Sequence, residues 1–313
     1  MPQMTPSQAR VVDAVLTSVA QGYKNAELIG NALFPYVAVG QRGGKIVSFG
    51  KEDFALYATG RVPGSNTRRV NFGYSSESYA LESHSLEGQV PIELLQEANA
   101  VPGMNLGTLA VNKVQAIIGL RLEAAQAALA TNGANYTSSN KASLSGSARW
   151  SDFTGTSDPI SDVEAAKEAV RQQVGRRPNT LVLGAAVLAK LKDHPKILER
   201  IKYTGRDVPT PELLASLFGV ARMVVGDAVY TGADGKFADV WGKNVVLAYT
   251  ELGPLADQGV PTFGYTYRLN GYPLVEQPYF DRNSKSWIYP VTDEVSPVIA
   301  GASAGYLISN AVA

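Results

Sequence analysis

Few side chains in this chain of 313 residues could do chemistry. It has two histidines, His84 and His194, and no cysteine. Without Cys there are no disulfide scaffolds, zinc ribbons, iron–sulfur clusters or thiolate nucleophiles. Two imidazoles are too few for a three-His metal site. Asp193-His194-Pro195 sets a carboxylate beside an imidazole, the pairing that general-base catalysis uses. The nucleophile-elbow motif G-x-S-x-G does not occur, so His194 is expected to be a solvated helix-end residue. His84, in Glu82-Ser83-His84-Ser85, falls outside any metal-ligand spacing. Gly184 closes a strand-like run and opens a helix, as a phosphate loop would. Both phosphate-loop signatures, G-x-G-x-x-G and G-x-x-x-x-G-K-S/T, are missing, and a helix-start turn is the simpler reading. Asp227, Asp234 and Asp239 lack the ligand ladder of a calcium loop. No catalytic residue, metal site or cofactor is expected, and the chain reads as a non-enzyme.

The chemistry that remains is charge. Arg61, Arg68 and Arg69 form the densest basic group of a glycine-rich stretch that also carries Lys45, Lys51, Glu52, Asp53, Glu77, Glu82 and Glu87. Two readings are open: the arginines bind nucleic acid, or they pair with carboxylates on a neighbouring subunit. The interspersed acids favour pairing, with Lys51, Glu52, Arg61, Arg68, Arg69 and Glu77 as the candidate contacts. The whole chain balances 28 Lys and Arg against 28 Asp and Glu. That neutrality argues against a dedicated nucleic-acid binder. Charged residues are 18% of the chain, below the usual ~25%. So thin a coat of charge favours self-association.

The elements that must position these residues follow from pattern. Val11, Val12, Val15, Leu16 and Val19 fall at helical spacing and predict a helix over 7–21, with Ser7 as N-cap. Residues 22–40 read as an irregular arm ending in Leu33-Phe34-Pro35-Tyr36-Val37-Ala38-Val39, where the internal Pro suits an edge strand. Residues 41–88 alternate glycines with short strand-like runs and predict a long two-stranded ribbon. Such a ribbon is marginal alone in water, so it is expected to lie on a neighbour. Residues 104–131 predict one helix of roughly 39 Å, capped by Asn105 and stopped by Asn132-Gly133. Its apolar residues, Ile117 among them, predict burial around much of its circumference.

A Ser/Gly-rich loop over 133–160 leads into an α/β alternation. It comprises a helix at 161–174 capped by Ser161, a buried strand at 180–183, and helices near 185–192, 195–202 and 211–218. Strands follow at 220–225, 227–231 and 238–249. The last third reads as strands at 263–269, 272–280 and 286–292 with turns at Asn270-Gly271 and Asp281-Arg282-Asn283-Ser284. No stretch approaches the ~18 apolar residues of a membrane span. No targeting segment is visible, so the cytoplasm is the default compartment.

This order of parts resembles the major capsid protein of tailed bacteriophages, with its Hong Kong 97-type fold. Local wording that carries the resemblance includes Ala32 to Val39, Pro178-Asn179-Thr180-Leu181-Val182-Leu183-Gly184, Gly226-Asp227-Ala228-Val229-Tyr230 and Ala304-Gly305-Tyr306-Leu307-Ile308. The resemblance implies an α+β fold with an N-terminal helix and arm over 1–40 and an extended β-hairpin loop over 41–88. A peripheral domain would comprise 89–150 and 262–295, with its spine helix at 104–131. An axial α/β domain would comprise 151–261 and 296–313. It further implies self-assembly as pentamers and hexamers into an icosahedral shell around double-stranded DNA, which the inner face would contact non-specifically. The further partners it implies are a separate scaffolding protein, a portal and a decoration protein, with no membrane. The site would be the virion capsid, assembled in the host cytoplasm. An encapsulin-like nanocompartment of the same fold is the alternative.

Overall fold

The computed structural model describes residues 16–17, 20, 28–45, 59–60, 69, 78–99, 105–202, 209–232, 234–251 and 262–313. Leu16, Thr17 and Ala20 are helical, within the helix expected over 7–21, while Ser7 lies outside the described residues. In chain order the strands and helices are β1 (Tyr36–Val39), β2 (Gly43–Lys45), β3 (Ser78–Ala80), β4 (Glu82–Pro91), α1 (Ile92–Asn99), α2 (Leu106–Thr131), β5 (Lys141–Ser143), α3 (Pro159–Val174), β6 (Thr180–Gly184), α4 (Ala185–Lys192), α5 (Pro195–Ile201), α6 (Pro211–Phe218), β7 (Arg222–Gly226), β8 (Val229–Thr231), β9 (Phe237–Asp239), β10 (Val245–Ala248), β11 (Gly264–Leu269), β12 (Leu274–Val275), β13 (Tyr279–Asp281), β14 (Ser286–Ile299) and β15 (Gly305–Ser309).

The long strand β14 organises a six-stranded sheet. It pairs antiparallel with β4, β11, β12 and β13, and β1 adds to β11 in parallel. The arm strand β1 is thus an edge strand, where Pro35 just before it blocks no ladder bond. The second sheet has five strands in the order β5-β15-β10-β6-β7. Every residue of β6 is buried, as in a strand covered on both faces. Its period of two sends Leu181 and Leu183 into a cluster with Trp150, Val163, Val187, Leu214 and Phe218. Val182 enters a different cluster with Phe34, Ala127, Val170, Trp241 and Phe263.

Helix α2 joins the two sheets. Asn105 caps it, its side chain accepting from the Thr108 N–H at 3.1 Å. The first half buries Val111, Val114 and Ile118 with Val275 and Val291 of the six-stranded sheet. The second half buries Ala127 and Ala130 with Val182 and Val246 of the five-stranded sheet. Its outer face is open: Leu109 is 60% and Ile117 49% exposed, so the expected burial of Ile117 is overturned within a single subunit.

Several expected boundaries move. Residues 82–88, read as ribbon, belong to β4, whose ten residues pair with β14 from Glu82 opposite Val295 to Pro91 opposite Ser286. Residues 141–143, expected with the long helix and outer strands, pair with β15 in the five-stranded sheet, and Trp150 packs in that sheet's core. β14 runs unbroken past 295 to Ile299. Helix α3 starts earlier than expected. Pro159 takes the first turn, and the cap is Asp158, accepting from the Ser161 N–H at 3.1 Å. The expected strand 238–249 breaks at Gly242, whose φ of +55° turns the chain between β9 and β10.

Candidate assembly surfaces

Of the candidate contact residues, Arg69 is described and exposed. Lys51, Glu52, Arg61, Arg68 and Glu77 lie outside the described residues, so which of them come together is not on view. The base of the ribbon is. Gly43–Lys45 pairs antiparallel with Ser78–Ala80, Gly43 opposite Ala80, as a two-stranded sheet of its own.

That base is pinned to the body by residues the sequence did not single out. The Arg42 guanidinium donates to both carboxylate oxygens of Glu294, at 2.6 and 2.7 Å. The Glu294 side chain is 4% exposed and that of Arg42 62%, so the pair reaches from solvent into the sheet. The carboxylate holds the guanidinium pKa above its ordinary value. Bidentate geometry of this kind sets direction as well as adding energy. Beside it, the ring of Tyr79 stacks on Tyr267 with centroids 4.4 Å apart. Burial pushes the Tyr267 hydroxyl up to about 12. One residue along the same two strands, Arg268 of β11 donates to Asp293 of β14 at 2.9 Å and lies over the Tyr36 ring of the arm, 4.1 Å from its centroid. Burial raises the Asp293 carboxyl, and Arg268 opposes that shift.

The arm is held from the long helix by a second feature the sequence reading missed. Glu123 of α2 is 2% exposed. Its carboxylate accepts the backbone N–H groups of Ile29 and Gly30, at 3.0 and 2.7 Å, and the indole N–H of Trp241 at 2.6 Å. Next to it Gln126 donates to Asn31 at 3.3 Å and to Thr266 at 2.8 Å. A signal was there to read. Glu123 stands just before the small-residue run Ala124 to Ala130 and Gln126 within it, both on the face that Ala127 and Ala130 bury.

His194 is not solvated, as was expected, but 2% exposed. Its Nε2 lies 3.0 Å from the Ser157 hydroxyl, and the ring of Phe153 meets it edge-on at 5.7 Å. Burial first, then Lys196, lowers its pKa, so the imidazole is neutral at pH 7. Pro195 opens α5 and His194 is its N-cap, with the ring buried, a placement that Asp193-His194-Pro195 does not announce. Ser157 is 3% exposed, so this Ser–His pair is closed to substrate and acts as packing. Gly184 is the N-cap of α4 and abuts the carbonyl of Gly242, which accounts for the glycine without a phosphate. Among the described residues no group of three His, Asp or Glu side chains could hold a metal ion. Among them, too, no helix is long and apolar enough to cross a membrane.

Two sheets bridged by one long helix, with an arm strand added to one sheet and a separate two-stranded ribbon base beside it, are the architecture of a Hong Kong 97-type shell subunit. Residues 114–255 match the family model described as "Phage major capsid protein E". The major capsid protein of Burkholderia phage BcepMu is 41% identical over 308 residues, 97% of this chain and 98% of that one. The crystal structure of a phage-related protein from Bordetella bronchiseptica RB50 is 47% identical, with a TM-score of 0.83 over 97% of this chain and 98% of that one. The SrpI encapsulin of Synechococcus elongatus PCC 7942 shares the fold at 12% identity, with a TM-score of 0.50 over 95% of each chain. The chain belongs to the phage major capsid protein family. It is a structural protein of the virion shell, which it forms with copies of itself.

Proposed function

We propose that this subunit assembles as pentamers and hexamers into an icosahedral shell that encloses double-stranded DNA. The observation that carries the assembly mode is the pinned ribbon base. Arg42 and Tyr79 tie a separate two-stranded sheet to the six-stranded one. The ribbon then extends over the adjacent subunit, where Lys51, Glu52, Arg61, Arg68, Arg69 and Glu77 pair with that subunit's charges. The six-stranded sheet and the first half of α2 serve as the peripheral domain, and the five-stranded sheet with α3 to α6 as the axial domain. A separate scaffolding protein guides assembly in the host cytoplasm, a portal takes one vertex, and a decoration protein binds the outside. Neutral net charge limits repulsion among many copies and leaves the inner face to meet DNA without sequence preference.

Electron microscopy of the expressed chain tests this, alone and with a scaffolding protein. Closed shells are expected, and deletion of residues 58–68 should abolish them while leaving the far-ultraviolet circular dichroism unchanged. Loss of secondary structure in the deletion variant would place the ribbon tip inside the fold and overturn its role over a neighbour. Shells that hold an enzyme cargo in place of DNA would return the reading to the encapsulin type.

A further inference from the structure

The hairpin β8–β9 forms a sheet of its own, apart from the two large ones. Val229 pairs with Asp239 and Thr231 with Phe237, and neither strand pairs with any other among the described residues. All six strand positions are exposed. Phe237 is 78%, Val229 45% and Tyr230 43% exposed. An isolated two-stranded hairpin is marginal in water, and apolar side chains grouped on such a hairpin mark a surface that is normally covered. Residues 227–239 carry the carboxylates of Asp227, Asp234 and Asp239 against Lys236 alone.

A surface of complementary character lies on the helices after β6. Residues 185–202 carry Lys190, Lys192, Lys196, Arg200 and Lys202 against Asp193 and Glu199. Lys196 pairs with Asp158 at 3.0 Å, and Lys190, Arg200 and Lys202 are exposed. Among these cations stand two apolar groups, Leu198 at 38% and Phe153 at 42% exposure, with Phe153 packed on buried His194. The two surfaces diverge from one sheet. β6 and β7 are parallel, and the hairpin leaves from the carboxyl end of edge strand β7. α4 starts at the carboxyl end of β6 and carries Lys190 and Lys192 in its last turn.

We propose that the β8–β9 hairpin is an inter-subunit clasp. Phe237 and Val229, which share one face of the hairpin with Asp239, pack in one copy on Leu198 and Phe153 of the next, and Asp234 and Asp239 face Arg200 and Lys202. The inference rests on the shell reading above and names a second contact besides the ribbon. Two different surfaces of one chain meet, so the contact is head-to-tail and repeats from copy to copy.

A cysteine-free chain makes the test direct. The double variant Phe237→Cys with Leu198→Cys is assembled, oxidised and run on a non-reducing denaturing gel. The expected result is a ladder that climbs past the dimer and collapses on reduction. Shells that form and still run as monomer overturn the clasp but leave the shell reading intact. Bands that stop at the dimer overturn its head-to-tail form. Wild-type chains that never form shells overturn the shell reading itself. A charge pair gives a second measure. Asp234→Lys with Asp239→Lys should lower the assembled fraction at least tenfold in sedimentation. Adding Arg200→Glu and Lys202→Glu should restore it, and failure to restore overturns the pairing.

Discussion

Glu123 Oε2 accepts the backbone N–H of Gly30 at 2.7 Å, across 93 residues of sequence. The same carboxylate takes Trp241 Nε1–H at 2.6 Å from the turn that leads into β10. One side chain thus ties the arm, the long helix and the five-stranded sheet to a single point. The absence of a Cβ at position 30 leaves room for these side chains: a Cβ there would stand 2.0 Å from Gln126 Oε1 and displace that amide. A shell subunit has to keep its arm in one place while neighbours load it, and this node does that without a covalent bond.

Removing the carboxylate should therefore loosen the arm as well as the core. Glu123→Ala leaves the N–H groups of Ile29, Gly30 and Trp241 buried without their acceptor. A loss of about 3 kcal/mol is expected. Urea unfolding of dilute, unassembled subunits checks it. A change under ~0.5 kcal/mol would mean that water replaces the carboxylate at no cost.

The same group gives a pH signature. Burial raises the Glu123 carboxyl above its ordinary value, and its three N–H donors oppose that shift. The folded state then holds a proton that the unfolded state has already lost. Stability from this group is full below the ordinary carboxylate pKa and falls as pH rises through the raised, folded one. Glu123→Gln, with nothing to ionise, lacks this slope. The wild-type melting temperature minus that of the variant should therefore decrease between pH 4 and pH 7. A flat difference across that range would show that the folded carboxylate titrates like a solvated one.

How much of this was legible depended on whether local pattern or distant pairing decides an element. The cap at Asn105, the stop at Asn132, the buried run Thr180 to Gly184 and the arm strand around Pro35 all follow from local rules, and the structure has them. β4 was misread because Glu82-Ser83-His84-Ser85 is polar and looks like ribbon. Its place comes from main-chain pairing along β14, which no periodicity in residues 82–91 reveals. Arg42 and Glu294 lie 252 residues apart, so their pairing was out of reach as well. The candidate contact residues came from composition, and residue types give no partner positions on another subunit.

Adjacent residues of α2 provide a sharp contrast. Ile118 is 6% exposed and packs with Val275 and Val291, while Ile117 is 49% exposed on the outer face. Ile118→Asp buries an unpaired charge and should cost several kcal/mol, roughly 4, enough to unfold the subunit. Ile117→Asp should stay within about 0.5 kcal/mol of the wild type. Circular dichroism with urea titration separates the two. Equal destabilisation would mean that the outer face of α2 is covered within the subunit.

The glycine that resembled a phosphate loop is needed for a different reason. Gly184 has an ordinary extended backbone, with φ of −72° and ψ of 154°, so its conformation does not require glycine. The requirement is space. A Cβ at 184 would stand 1.9 Å from the carbonyl oxygen of Gly242, which is backbone and cannot swing aside. The Gly184 N–H also donates to the Asn244 carbonyl at 3.3 Å, which keeps β6 against the start of β10. Gly184→Ala must push these segments apart beside Trp241, which also holds Glu123. A cost of about 2 to 3 kcal/mol is expected, in the range of overpacked core sites. Gly235→Ala serves as the control, since its φ of +74° gives strain but nothing lies within 4 Å of the added methyl. Melting of the two variants side by side should lower the first well below the second. The reverse order would show that conformational strain, and not the close approach to Gly242, governs glycine in this domain.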